Sequence, residues 1–448
     1  MKAGWILSCL MATVLLIPRA GAAQGSLKWD CSAVVFIENG LVLAEDRYGN
    51  LISEGEAGKA DGPVIQAAID STGSSGEIKI LKGTYLLDRS ILIGTNIKLT
   101  GEGRGTVLVP PVEDYALRIE KGENAMIPRP FHAYEGYPLY AVIIRDMTID
   151  GERADMKNSG KGIFMKHFWS SSFENLWIQN TGNALTLFRI RESDFRNTYL
   201  INNGNEEKKE SGLFLSGVDN IHFNGLYVIY QNYIGLEIYQ SKLVFIDQSM
   251  FHGWLPRLGG PAKYPLIQAR DMNELQNGEG RHKSDMVIEN SRITVGGEGT
   301  DVVDIINSPV TINQCVATCG FGKTVISATG NSRVNISDNS FYSFKPLPAG
   351  AFVLYAEDSE VIFENNVVSV QNLQVSLKGV RNTIIADNRF DLVTGKPFIL
   401  VGDKDGKGSR SLRISGNFFR TADLEQAVLV EPLSTINIDI RHNMILTD

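Results

Sequence analysis

Six short runs between residues 162 and 306 carry side chains able to do chemistry at every second position. The pairs are Phe164 and Lys166, Thr186 and Phe188, Phe214 and Ser216, Glu237 and Tyr239, Gln268 and Arg270, and Asp304 and Ile306. His167, Arg189 and Arg191 follow directly behind two of them. Their partners in the alternation are aliphatic, such as Ile163 and Met165 or Leu236 and Ile238, which is the pattern of strands with one buried face. The polar and aromatic members then share the outward face. If the runs stack as successive rungs, Glu237 and Asp304 lie two rungs apart, roughly 9 to 10 Å at the strand spacing. An inverting glycosidase places its acid and base about 6.5–9.5 Å apart, so a hydrolytic pair is within reach. A second chemistry uses the cations. Lys166, Arg189 and Arg270 suit the carboxylate of a uronic acid, with Tyr239, Lys166 or His167 taking the adjacent proton in a β-elimination or epimerisation. Tyrosine or lysine, with an ordinary pKa near 10, would need Arg270 to depress it.

The elements that must position these groups are marked by asparagines. Asn175, Asn197, Asn224, Asn290, Asn339, Asn366, Asn388, Asn417 and Asn443 each stand between two short apolar runs, at spacings such as 22, 27, 22, 29 and 26 residues. A period of this size means one supersecondary unit per repeat, stacked because a single unit cannot bury its own apolar face. The two long gaps fit an extra turn each, with Asp247 or Gln248 and Asn313 or Gln314 at the equivalent corner. A corner between strands favours residues that tolerate left-handed backbone angles, and stacked amides can hydrogen-bond between coils. The asparagines are therefore structural, and they serve as a ruler for the outward strip.

At 448 residues, length alone suggests two or three domains, but a solenoid lengthens without needing a second core. With a net charge of −8 and 21% charged residues there is no basic footprint for nucleic acid. Residues 1–23 read as a signal peptide, with Lys2, the apolar run Trp5 to Ile17 and the small residues Ala20 to Ala23. That run is too short to span a bilayer. The mature chain is expected to be secreted or periplasmic and free of the membrane. It retains Cys31, Cys315 and Cys319. The last two are close enough for a local bridge, or are small buried hydrophobes.

Residues 24–60 form an N-terminal strand region, broken at Asn39-Gly40 and Gly49-Asn50. Asp61 to Asp70 reads as a short amphipathic helix, with Asp61 as a cap and Pro63 in its first turn, covering the open end of the stack. The stretches "DGPVIQAAID", "LKGTYLL" and "IKLTGEGRGTVL" together resemble the N-terminal signature of the pectin lyase-like superfamily. The resemblance covers about 380 residues. It implies an all-β fold, a single-stranded right-handed parallel β-helix over residues 61–448, and a saccharide partner. It transfers no catalytic residue, because the paired aspartates of polygalacturonases, the Asp-Pro-His motif of alginate epimerases and the calcium-binding acidic cluster of pectate lyases are missing. No cofactor is implied. Calcium is compatible with the family but has no motif here.

Insertions at 110–142, 203–211 and 253–284 interrupt the repeat, and long loops of this kind are usually functional or disordered. Loops leaving the third strand would wall the strip and bring Trp254, Tyr264, His282 and Lys283 over it. The expected substrate-binding set is Phe164, His167, Phe188, Arg191, Phe214, Trp254, Gln268 and His282, and the expected catalytic set is Lys166, Arg189, Glu237, Tyr239, Arg270 and Asp304. Of the other histidines, His222 and His442 read as structural, and His132 lies in the first insertion. The leading expectation is a polysaccharide lyase-like enzyme. The alternatives are an inverting hydrolase using Glu237 and Asp304, and a glycan-binding solenoid without catalysis. The C-terminus shows no recognisable cap, which points to self-association.

Overall fold

The computed structural model describes residues 26–73, 75–94, 96–120, 141–151, 159–255, 260–261, 264–272, 285–295, 301–319, 324–343, 351–370, 374–391, 397–402, 408–420, 427–431 and 436–445. Strands dominate, and they wind into a right-handed parallel β-helix, the fold that the resemblance implied. Each coil contributes one strand to a 13-stranded parallel sheet, and its second and third strands to a 27-stranded sheet that bends between them. The registers follow the alternation in the sequence. Ile163 pairs with Leu185, Leu185 with Leu213, Leu213 with Leu236, Leu236 with Ile267 and Ile267 with Val303. All six are buried.

Aliphatic residues fill the interior, joined by like-on-like aromatic stacks. Phe173, Phe195 and Phe223 stack at 4.5 and 4.8 Å between ring centres, and Phe390 lies 5.2 Å from Phe419. Identical rungs bring identical positions together about every 4.8 Å, so a flat ring in one coil finds its neighbour in the next.

Of the nine asparagines, all but Asn224 fall into two columns one residue apart; Asn224 stands one position before its corner, which Gly225 turns with φ of 72°. Asn175, Asn197 and Asn290 have φ of 52°, 48° and 47° and turn the corner in the left-handed region, with Gln248 and Gln314 at the same place. Asn339, Asn366, Asn388 and Asn417 stand one position later, inside the corner and buried. There the left-handed residue is Asp338, Asn365, Asp387 or Gly416. Each buried asparagine accepts the backbone N–H of its counterpart one coil earlier, at 3.0 Å from Asn339 to Asn366, 2.9 Å from Asn366 to Asn388 and 3.0 Å from Asn388 to Asn417. The column continues upstream in other chemistry. Cys315 N–H donates to Asn339 Oδ1 at 2.8 Å, and Ser249 N–H donates to Ser291 Oγ at 3.1 Å. Cys315 is thus a free, buried thiol rather than half of a bridge, and burial pushes its pKa up to about 11.

At the N-terminal end, Ala33–Glu38, Leu41–Asp46 and Leu51–Glu56 form an antiparallel meander that joins the large sheet through Ala33–Glu38. Asn39 and Gly40 both have positive φ, as a tight primed hairpin turn requires. The helix Asp61–Ser71 buries Val64, Ile65, Ala68 and Ile69 against this end of the stack. Asp61 does not act as the helix cap, since Ala60 holds that position without a side-chain bond. Its buried carboxylate instead accepts the backbone N–H of Gly58 at 2.8 Å and of Leu86 at 2.6 Å, tying the helix start to the first coils.

Candidate functional site

The outward strip lies on the 13-stranded sheet, in two columns fixed by register. One runs Arg118, Phe164, Thr186, Phe214, Glu237, Gln268 and Asp304, and the other runs Glu120, Lys166, Phe188, Ser216, Tyr239, Arg270 and Ile306. The one-residue split in the ruler leaves this strip unchanged, because the alternation within each run sets its faces. Phe164, Lys166, Phe188, Phe214, Tyr239, Gln268, Arg270 and Asp304 are half-buried. Arg191 is not brought in. It lies past the corner in the strand Arg191–Ile201, with its guanidinium 5.3 Å from the Trp169 ring and 3.7 Å from Asp219. Only the backbone of Trp254 is described, paired antiparallel with Pro261, and His132, His282 and Lys283 lie outside the described residues.

Two clusters divide the strip. The first surrounds Phe188. Lys166 Nζ lies 5.9 Å and Arg189 Cζ 5.2 Å from the centre of its ring, and the His167 ring meets it edge-on at 6.0 Å. His167 and Arg189 both sit at the corner with φ of 60° and 53°, which swings their side chains over the end of the strand. Neither Lys166 nor Arg189 has a carboxylate partner among the described residues. Partial burial, with help from these two cations, lowers the His167 pKa and holds the imidazole neutral at neutral pH.

Glu237 and Arg270 make up the second cluster. Glu237 is only 8% exposed and is gripped at both oxygens, one by Arg270 and the other by the Ser211 hydroxyl. Asp304 accepts the Gln268 amide at 2.8 Å. Glu237 and Asp304 do occupy the same column two rungs apart, but Gln268 stands between them and Glu237 offers no unengaged oxygen.

Several contributors were not picked out from the sequence. Tyr115 stands at 5.3 Å from Phe164 and shares a 3.0 Å hydrogen bond with Thr186. Burial raises its pKa, so the phenol stays protonated. Arg118 lies 5.0 Å over Phe164 and is held by Glu120 at 2.7 Å and Asp114 at 3.3 Å. The loop 203–211 forms a wall. Its Glu210 meets Lys161 at 2.6 Å, its Lys208 meets Glu113 at 2.8 Å, and its Glu206 accepts the Tyr264 hydroxyl at 2.7 Å. That last bond, more than burial, pushes Tyr264 up to about 12. The signal for Tyr115 and Arg118 was present, since "YALRIE" alternates like the later runs, but it falls within the stretch 110–142 read as an insertion; Tyr115–Glu120 is instead a rung of the 13-stranded sheet, paired with Lys161–Lys166. Nothing in the sequence pairs Ser211 with Glu237, because that contact crosses between coils. No group of three histidine, cysteine or acidic side chains able to hold a metal ion occurs among the described residues.

Compared by sequence, the chain matches no protein-family model and no curated protein. Compared by structure, it is similar to the tailspike gp61 of Pseudomonas phage phi297, at 12% identity over 83% of this chain and 75% of that one, with a TM-score of 0.55. It is also similar to ORF18 of Geobacillus virus E2, at 16% identity over 72% and 68% of the two chains, with a TM-score of 0.52. A third likeness is the A-module of the mannuronan C-5 epimerase AlgE4 of Azotobacter vinelandii, at 14% identity over 88% and 92%, with a TM-score of 0.42. At these identities the likeness to the first two is one of fold. No helix among the described residues is long and apolar enough to cross a membrane.

Proposed function

We propose that the protein is a secreted carbohydrate-active enzyme that cleaves a uronic-acid-containing polysaccharide by β-elimination, with its centre at Phe188. The observation that carries this reading is the pair of cations Lys166 and Arg189, without carboxylate partners, flanking a neutral His167 around one aromatic ring. A uronate carboxylate between the two cations has its charge offset, which acidifies the neighbouring C–H. His167 takes that proton. The electrons form the new C=C bond, the glycosidic C–O bond breaks, and the departing oxygen takes a proton from solvent. Phe164, Phe214 and Tyr239 supply the apolar surface along which further sugar rings lie.

Hydrolysis by Glu237 and Asp304 has less support, because Glu237 is committed to Ser211 and Arg270. In this reading Glu237 positions Arg270 for a second carboxylate along the chain. The test is digestion of polygalacturonate, alginate and glucuronan, followed by ultraviolet absorbance of the unsaturated product and by reducing ends. Elimination produces both signals. Reducing ends without unsaturation favour the hydrolase, and binding without either favours a non-catalytic solenoid. On the polymer that is cleaved, His167→Ala and Lys166→Ala are expected to lose roughly 10²–10⁴-fold in rate. A variant Lys166→Ala with full activity beside an inactive Glu237→Gln would reverse the assignment.

A further inference from the structure

On the third strand of each coil, facing away from the strip, the outward column runs Trp177, Tyr199, Tyr227, Met250, Arg292 and Val316. Its first three rings stack face to face at 3.8 and 4.4 Å, and Arg104 covers the outer face of Trp177 at 3.9 Å. Beyond Tyr227 the stack ends and a cavity of 420 Å³ opens between this column and the corner. Ser249 and Ser291, at the corner positions filled further along by buried asparagines, form part of its lining.

Polar groups with unused capacity line the cavity. Gln248 and Gln314 turn the corner in the left-handed region and project outward, and Arg292 is exposed. None of these three side chains has a hydrogen-bond or ion-pair partner among the described residues. They sit on three successive rungs, those of Met250, Arg292 and Val316, so at a spacing of about 4.8 Å the donors run along the helix axis for roughly 10 Å. Two neighbouring polar atoms, Nδ1 of His252 and Oγ1 of Thr294, are buried without a hydrogen-bond partner among the described residues, on cross-strand positions of the first two of these rungs. Amides that can give and accept hydrogen bonds side by side, one guanidinium and one ring form the set that recognises a hydroxyl-rich, acidic chain in extended form.

We propose that this cavity is a second saccharide-binding subsite, on the face opposite to the strip, that takes a short stretch of an acidic polysaccharide through Gln248, Arg292 and Gln314. It tethers the polymer and has no part in breaking it, so the reading holds whether or not the strip eliminates. Affinity electrophoresis through gels containing polygalacturonate, alginate or neutral dextran tests it, with wild type, Arg292→Ala/Gln314→Ala and Lys166→Ala/Arg189→Ala compared. The cavity side chains are exposed, and matching melting curves check that the variants fold. Expected is retardation in at least one acidic gel that persists in the strip variant. Retardation should weaken about tenfold or more in the cavity variant, the effect of losing charge-assisted hydrogen bonds. Elimination of short oligosaccharides should be unchanged in the cavity variant. Retardation equal to wild type in the cavity variant, loss of all retardation in the strip variant, or no retardation in any acidic gel overturns the proposal. Weakening in dextran as strong as in the acidic gels refutes the part assigned to Arg292.

Discussion

Replacing Asn366 by alanine should be among the costliest single changes in the solenoid, although the residue touches no part of the strip. Its side chain accepts from Asn339 twice, from the backbone N–H at 3.0 Å and from Nδ2 at 3.0 Å. It donates to the Ile336 carbonyl at 2.9 Å and to Asn388 Oδ1 at 3.0 Å. After truncation, Asn339 Nδ2 keeps the Ile312 carbonyl and Asn388 Oδ1 keeps the Asn366 N–H. The Asn339 N–H and the bond to Ile336 O have no substitute in the buried corner. Two such losses at about 1–3 kcal/mol each give roughly 2–6 kcal/mol. The control is Asn197→Ala, at the exposed column with φ of 48°, where the cost is the left-handed backbone, about 1–2 kcal/mol, with little added by the loss of a solvent-exposed 3.2 Å bond to Asn175 Oδ1. Urea denaturation followed by circular dichroism measures both. Amide exchange across residues 333–391 then shows whether the loss is local, as expected when each coil contacts only its neighbours. If Asn366→Ala costs no more than Asn197→Ala, the buried ladder is not what joins the coils.

Three further outcomes follow from the site and the core. Because the His167 pKa is lowered from its ordinary 6.5, elimination should be at full rate at neutral pH and fall as pH drops through that lowered value. The unfolded chain binds the proton first, so stability also declines with falling pH between about 6.5 and the folded value, and His167→Gln should flatten that part of the stability profile. Arg270→Ala leaves Glu237 buried with the Ser211 hydroxyl alone. Because the Arg270 side chain is 40% exposed, the expected destabilisation is about 1–3 kcal/mol, below that of a fully buried pair, and Glu237→Gln in the same background should recover part of it. Cys315, with its thiol held near 11, should resist thiol reagents at neutral pH until the protein unfolds. Cys315→Asn should be tolerated, since an amide there extends the ladder toward Ser291. Modification at the native rate of an open thiol would contradict the buried position.

Much of this architecture was legible in the chain because its two periods are independent. The spacing of about 22 residues announced the coils, and the alternation within runs such as "GLEIYQ" fixed which side chains point outward, so the columns through Glu237 and Arg270 were read in their observed register. The asparagines misled by one residue, because the left-handed corner and the buried position behind it both favour a short amide. Asn197 turns the corner in the left-handed region, while Asn366 stands one position past it and is buried. Arg191 was assigned to the strip because the corner at Arg189 is invisible to a period-two pattern, which carries on as if the strand had not turned. The pairing of Glu237 with Ser211, which most changes its chemistry, depends on where a loop returns in space.

The corner ladder also separates two quantities that are usually tied together. Between Asn366 and Asn388 the chain travels 22 residues to reach the next rung, and between Ser249 and Ser291 it travels 42, yet the hydrogen bonds closing the two rungs measure 2.9 and 3.1 Å. The length of chain spent per coil is thus a free variable, while the rise per coil is fixed by the side chain waiting one storey up. Loops over the strip can be lengthened, shortened or exchanged without altering the pitch on which Lys166, Phe188, Tyr239 and Arg270 are set out. Substrate choice can therefore drift in such a molecule while the ruler under it stays unchanged.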